Sequence, residues 1–568
     1  MQHARSLRRA ALLVLSLLSA CAAANPSAGV AVARRHDVSG AAAAYLIARY
    51  AAQSGDLATA SSEFMRALAV DPANKALQQE AFLTALLAGR PEATELARDL
   101  PLNPAADLLL GDEAVKAGQW AEAQKQFAAL PANGVTDLLR PILIAWAEQG
   151  AGQTAAALTT LKPLVEGTRF RGVYALHAAV IADLGGDIPQ AGRLYGIAQA
   201  SSGGPNLALA RVLASWQARQ GQTAAAQATL AALATANPDL AIAIPGLQAK
   251  AAERQIRGPA DGVAEAYLAL AAALHVQDSS EFSAILLHLA LDLQPNLTPA
   301  RLLNAEIYQT GNHLDRALAS LSAVAGSDPL APLVRLRVAA LRSRMDDNKA
   351  ALGDLAQLAR QFPRAADIPS MQGDIQRIEG HFSDAVAAYD RAVALIGTPG
   401  PQNWALFYDR GIALERAHQW PRAKADLQTA LRLSPNQPYV LNYLGYSMTE
   451  RGENLAEAHK LIERAAEQRP NDGAIIDSLG WVELRQGNVK GAIRLLERAV
   501  ELDAEDSTVS AHLGDAYWAA GRKLEAQFQW RRSLTLKPDP EQVAKLRARL
   551  RDGNLSLRAA VPVNKAVQ

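Results

Sequence analysis

The sequence has a single cysteine in 568 residues, Cys21. Internal disulfides and cysteine-based zinc sites are therefore excluded. Aromatic residues make up only 5% of the chain, and alanine dominates its apolar half. That composition suits helices packed closely through small side chains, not sheets built from aromatic and β-branched residues. Charge of either sign is lacking too: 57 Lys+Arg against 56 Asp+Glu leave a net charge of +1. A nucleic-acid partner, which needs an excess of basic groups, is not expected. Long apolar runs are missing apart from Ala10–Leu18, too short to span a bilayer. Half of the residues are hydrophobic, too many for intrinsic disorder.

The one notable apolar run comes after Arg5, Arg8 and Arg9 and ends in Leu18-Ser19-Ala20-Cys21. A charged start and a short apolar stretch make a secretory signal over residues 1–20. Its end resembles the bacterial lipoprotein signal, in which Cys21 becomes the lipid-bearing first residue of the mature chain. The only cysteine stands where that motif requires one. Removing the signal leaves a nearly neutral body without a polybasic segment, so the lipid is expected to hold the protein on the membrane. Ala22 comes directly after the cysteine, and the resemblance then implies the outer membrane, facing the periplasm. Residues 21–40 are small and polar and read as a flexible tether.

The remainder repeats. Gly55, Gly118, Gly221, Gly380, Gly487 and Gly521 are each followed five residues later by alanine (Ala60, Ala123, Ala226, Ala385, Ala492, Ala526). Four residues further stands a large residue: Phe64, Phe127, Leu230, Tyr389, Leu496 or Trp530. Many units close on proline, as at Pro72, Pro238, Pro435 and Pro470. The period of about 34 residues, two helices and two turns, resembles the tetratricopeptide repeat. The fold class expected is all-α, a right-handed solenoid of helix pairs. Each glycine supplies a positive φ in the turn, and small residues such as Gly480 and Gly514 let the paired helices approach. Units begin near residues 41, 75, 104, 138, 172, 207, 264, 297, 332, 366, 404, 438, 473 and 507. Those near 75, 138 and 172 lack several signature residues. The reading is thus a degenerate array over 41–240, an irregular break or bend over 241–263, where Pro245 and Pro259 interrupt the spacing, and a well-formed array over 264–539. Residues 540–568 form a capping helix, with Val543, Leu546 and Leu550 at helical spacing, and a polar tail.

Motifs for catalysis are missing: there is no P-loop, GxSxG elbow or HExxH. His288, His313, His381, His418 and His512 fall one to a repeat, which disfavours a shared metal. After Pro538 too little chain remains for a catalytic domain. The protein is read as a non-enzyme without a cofactor, working through its surface.

In the family that the repeats resemble, the first helix of each unit lines a concave groove. Its fifth, ninth and twelfth residues point inward. Carried onto this sequence, that register selects Tyr408 and Glu415, Asn442 and Tyr446, Asp477 and Trp481, and Asp515 and Trp518. Residues four apart share a helix face, and rings beside Asn and Asp suit an extended or helical peptide. The alternative is that these aromatics pack between neighbouring first helices. Trp530, Tyr389, Phe64 and Phe127 hold core positions. The Lys and Asn set with which some family members clamp a C-terminal carboxylate is missing.

The block from Trp404 to Leu534, with "NYLGYSMTERGENLAEAHKLIERA" and "HLGDAYWAAGR", is similar to proteobacterial tetratricopeptide lipoproteins of the outer membrane. Some of these are adaptors that hold a periplasmic carboxyl-terminal processing protease together with cell-wall-hydrolase substrates. The resemblance implies such an adaptor, with protein or peptide partners in the groove and the membrane reached through the lipid. A structural part of an envelope assembly, pilus or secretion machine is the alternative.

Overall fold

The computed structural model describes residues 28–132, 134, 136–167, 170–275 and 280–552. Residues 1–20, read as a secretory signal, Cys21 and the tail beyond residue 552 lie outside them. The described residues form helices and turns, with no strand among them. Successive helices pair antiparallel, as in Gly473–Arg485 with Val489–Leu502 and Ser507–Ala519 with Lys523–Thr535. The fold is the all-α solenoid that the repeat pattern predicts.

The local rules of the sequence act as expected. All six turn glycines adopt positive φ, from 69° at Gly118 to 92° at Gly487. Where glycine is missing from that turn, Asn312, Asp346 and His418 take positive φ instead. The six alanines are buried, and so are the six large residues four positions on. Glycines of the first helices explain how close the pairs sit. A Cβ on Gly480 would lie 2.7 Å from the Leu496 side chain, and one on Gly514 would lie 2.5 Å from the Trp530 ring. Real Cβ contacts that short are forbidden, so these crossings accept no side chain.

One expectation needs correction. Helix Ala28–Ser54 begins inside the segment read as a tether, because its alanine and arginine residues are strong helix formers. The chain also divides into two compact units, residues 1–341 and 342–568, a division that the repeat reading did not place, and the irregular stretch 241–263 lies within the first. It holds a 3₁₀ helix Pro238–Ala243, a short helix Ile244–Ala249 and turns, all inside the first unit.

Beyond residue 258 the chain does not simply extend the row of pairs. Helices Pro259–His275 and Ser280–Leu293 fold back onto the first helices of earlier pairs, Lys75–Leu87, Pro104–Lys116, Thr136–Gly150 and Arg171–Leu184. Gly262 is pressed against Trp146, where a Cβ would come within 2.2 Å of the ring. Tyr267 donates its hydroxyl to Asp112 Oδ1 at 2.6 Å, and both residues are fully buried. Asp292 pairs with Lys116, and Glu265 with Arg211. Burial holds the Asp112 carboxyl well above the usual carboxylate range, with the Tyr267 hydroxyl opposing it. Thus the face formed by these four first helices is covered by the unit's own chain.

Candidate functional site

The residues selected from the sequence all lie in the second unit, on helices Trp404–Arg416, Pro438–Arg451, Gly473–Arg485 and Ser507–Ala519. Each starts where local chemistry fixes it. Asp472 accepts from Ile475 N–H, Asp506 accepts from Thr508 and Val509 N–H, and Pro438 opens its helix at the first turn. Neighbouring first helices touch, so side chains of one repeat reach the next.

At the centre is a polar knot. His512 Nδ1 lies 2.8 Å from Asp477 Oδ2, and the imidazole stacks on the Trp481 indole at 4.1 Å and 12°. Trp481 donates its indole N–H to Glu450 Oε1 at 2.6 Å, and the Arg485 guanidinium lies over its ring. Tyr446 stands 6.2 Å from the same imidazole. One turn further, Trp530 donates to Asp515 Oδ1 at 2.8 Å, and Arg549 of helix Pro540–Asp552 pairs with Oδ2 at 2.7 Å. Burial works against a charge on His512, but the Asp477 carboxylate outweighs it and raises the imidazole's pKa. Burial pushes Asp515 up to about 6, with Arg549 and His512 pulling the other way. Desolvation, then the carboxylates of Glu450, Asp477 and Asp506, raises the Tyr446 phenol well above its ordinary value.

Towards the start of the unit the face is more open. Tyr408 meets Tyr443 edge-on at 5.9 Å, and Glu415 pairs with Arg451 at 2.9 Å while accepting from the Tyr443 hydroxyl. Beside Tyr408, burial and then Asp374 raise the Asp409 carboxyl to about 6 against the pull of Arg377.

Three family models match: a tetratricopeptide repeat-like domain over residues 257–403, and tetratricopeptide repeats over 408–473 and 483–550. The chain carries tetratricopeptide repeats. Over 115 residues it is 35% identical to a TPR repeat-containing protein of Pseudomonas aeruginosa, a stretch making up 20% of this chain and 19% of that protein. Over 93 residues it is 36% identical to the cytochrome c-type biogenesis protein CycH of Rhizobium meliloti, covering 16% of this chain and 24% of that one. The chain thus spans about a fifth to a quarter of the length of these curated relatives. Among solved structures, the APC/C hetero-tetramer Cut9–Hcn1 aligns with 80% of this chain and 98% of its own at 14% identity and a TM-score of 0.39. Tetratricopeptide repeats form scaffolds for protein–protein interaction. Among the described residues no catalytic domain is evident. Among the described residues no group of His, Cys, Asp and Glu is arranged to hold a metal, and no helix is long and apolar enough to cross a membrane.

Within these tetratricopeptide units the eight selected residues separate into two sets. Asp477, Trp481 and Asp515 are buried, at 4%, 6% and 0% exposure; Asp477 Oδ2 meets His512 of the next first helix, the Trp481 indole N–H meets Glu450 of the preceding one, and Asp515 meets Trp530 and the cap's Arg549. Their burial favours the alternative reading, packing between neighbouring helices, over an open groove position. Tyr408, Glu415, Asn442, Tyr446 and Trp518 keep partial exposure and form the accessible part of the face. The sequence reading missed His512 as the residue that ties Asp477 and Trp481 together, and Arg549 as the cap's anchor. The only available signal for either was a charged or titratable residue one repeat, about 34 positions, from an acid.

Proposed function

We propose that this protein is a lipid-anchored adaptor of the bacterial outer membrane, facing the periplasm, which holds a periplasmic protease or cell-wall enzyme together with its substrate. The observation that carries the reading is the sole cysteine, placed directly after Leu18-Ser19-Ala20 and followed by little else than interaction repeats. The adaptor role rests on the resemblance of residues 404–534, read from the sequence, to tetratricopeptide lipoproteins. A nearly neutral body gives the acyl chains the task of holding the protein at the membrane. The partly exposed residues Tyr408, Glu415, Asn442, Tyr446 and Trp518 are the surface offered to partners.

Two measurements test this. Cys21→Ala should move the protein from the membrane to the soluble fraction; retention with outer membranes in high salt refutes the anchor. Photo-crosslinkers at Tyr408 and Trp518 in cells should capture a periplasmic peptidase or peptidoglycan hydrolase. Stoichiometric copurification with the parts of a pilus or secretion machine, in place of such an enzyme, refutes the adaptor.

A further inference from the structure

At one end of the covered face of the first unit the packing opens. There, helices Arg171–Leu184 and Leu207–Arg219 on one side and Pro259–His275 on the other leave a pocket of about 380 Å³. Its walls are apolar and include Val173, Leu176, Leu209, Val212, Ile256 and Leu268. A volume of a few hundred Å³ with apolar walls and few polar groups is the usual form of a small-molecule site. Leaving such a surface wet costs roughly 25 cal/mol per Å².

Five polar side chains line the pocket; Ser201 and Asn206 are exposed and Ser202 half-buried, while His177 and Glu265 are buried, exposed by 2% and 6%. The Trp146 indole N–H, which can only donate, lies 3.1 Å from His177 Nδ1. Nδ1 is therefore the acceptor, and the ring proton resides on Nε2. Burial lowers the His177 pKa to about 4, so the ring is neutral. Glu265 is ion-paired with Arg211, itself only 7% exposed. The charges at the site thus cancel internally. A bound anion would sit beside the Glu265 carboxylate with Arg211 already engaged, and a cation would find that carboxylate already neutralised.

We propose that this pocket is a binding site for a neutral, apolar small molecule bearing a single hydrogen-bond acceptor, the acceptor meeting the ring N–H of His177 and the apolar part lying against Val173, Leu176, Leu209 and Val212. A medium-chain aliphatic alcohol is the simplest member of that class. Neither the repeats nor the adaptor role requires such a site, and it stands independently of both.

The test uses the full chain carrying Cys21→Ser, titrated with 1-octanol, octanoate and octylamine by calorimetry and saturation-transfer NMR. The expected result is 1-octanol binding at least tenfold tighter than either charged probe. Val212→Phe and Ala269→Leu, which fill the pocket from opposite walls, should each weaken it at least tenfold with the helical circular dichroism unchanged. If one filled variant does not fold, the other decides. Failure of 1-octanol to bind, equal binding of the charged probes, or undiminished binding by the folded filled variants overturns the proposal. So does a photo-crosslinker at Ala269 that captures a protein which 1-octanol does not displace.

Discussion

Replacing Arg549 with methionine keeps the aliphatic stem and removes the cation paired with Asp515. Asp515 is wholly buried and its other oxygen is held by Trp530 N–H. Breaking a buried ion pair typically costs 3–5 kcal/mol. Arg549 keeps 22% of its side chain exposed, so the lower end, about 3 kcal/mol, is expected near neutral pH. The pH dependence comes from the direction of the shift. Asp515 titrates at about 6 in the fold, above its unfolded value, so its contribution to stability is complete below the unfolded pKa and lost as pH rises through 6. Without Arg549 the folded pKa moves higher still. The variant and the parent should therefore be nearly equal at pH 4.5, where the folded carboxyl is protonated in both, and diverge progressively above pH 6, reaching most of the difference by pH 7.5. Urea denaturation of both proteins at the two pH values measures this. A loss that is the same at pH 4.5 and 7.5 would show that Arg549 acts by packing alone, and a loss below about 1 kcal/mol at pH 7.5 would show that Asp515 is reached by water.

Trp481→Ala should destabilise the second unit by about 3–5 kcal/mol, since it removes a buried ring stacked on His512; a large loss of partner binding at unchanged melting temperature would contradict this. Tyr446→Ala, at a partly exposed position, should instead lower partner affinity by about tenfold or more, read from crosslinking yield or titration. Gly262→Ala should cost about 1–3 kcal/mol through overpacking against Trp146, seen in the thermal unfolding of the first unit. Asp112→Asn should be tolerated better than Asp112→Ala, because an amide oxygen can still accept from the Tyr267 hydroxyl while burial disfavours a charge there; equal losses in thermal unfolding would show that this hydrogen bond contributes nothing.

The parts of this fold that were legible in the sequence are those set within one repeat. Gly487 ends one helix, Ala492 and Leu496 face the partner, and Gly480 admits Leu496, all within about twenty residues along the chain. Spacing alone therefore fixed pairing and period. The return of helix Pro259–His275 was not legible, because its contacts join residues far apart and its own periodicity is that of any other repeat helix. Gly262, a glycine inside a helix, was the faint signal, since such a residue commonly marks a close approach. At the candidate site, the four-residue spacing placed Asp477 and Trp481 correctly on one helix face. It could not tell whether that face meets solvent or the neighbouring helix. The histidine that decides the matter, His512, reads in the sequence only as one histidine of its repeat.

The return of Pro259–Leu293 also changes how the first unit has to assemble. An open repeat array is bound together by contacts between neighbours, so it nucleates anywhere and survives trimming from either end. Here Tyr267 meets Asp112 across 155 positions and Asp292 meets Lys116 across 176. Contacts of that span must await closure of a long loop, and they slow folding relative to a local array. They also make the early pairs and the returning helices interdependent: deletion of Pro104–Lys116 leaves Tyr267 and Asp292 without their partners far downstream. The first unit is thus a closed cooperative body made from a modular sequence, and shortening it from its N-terminal side should unravel it rather than subtract one repeat.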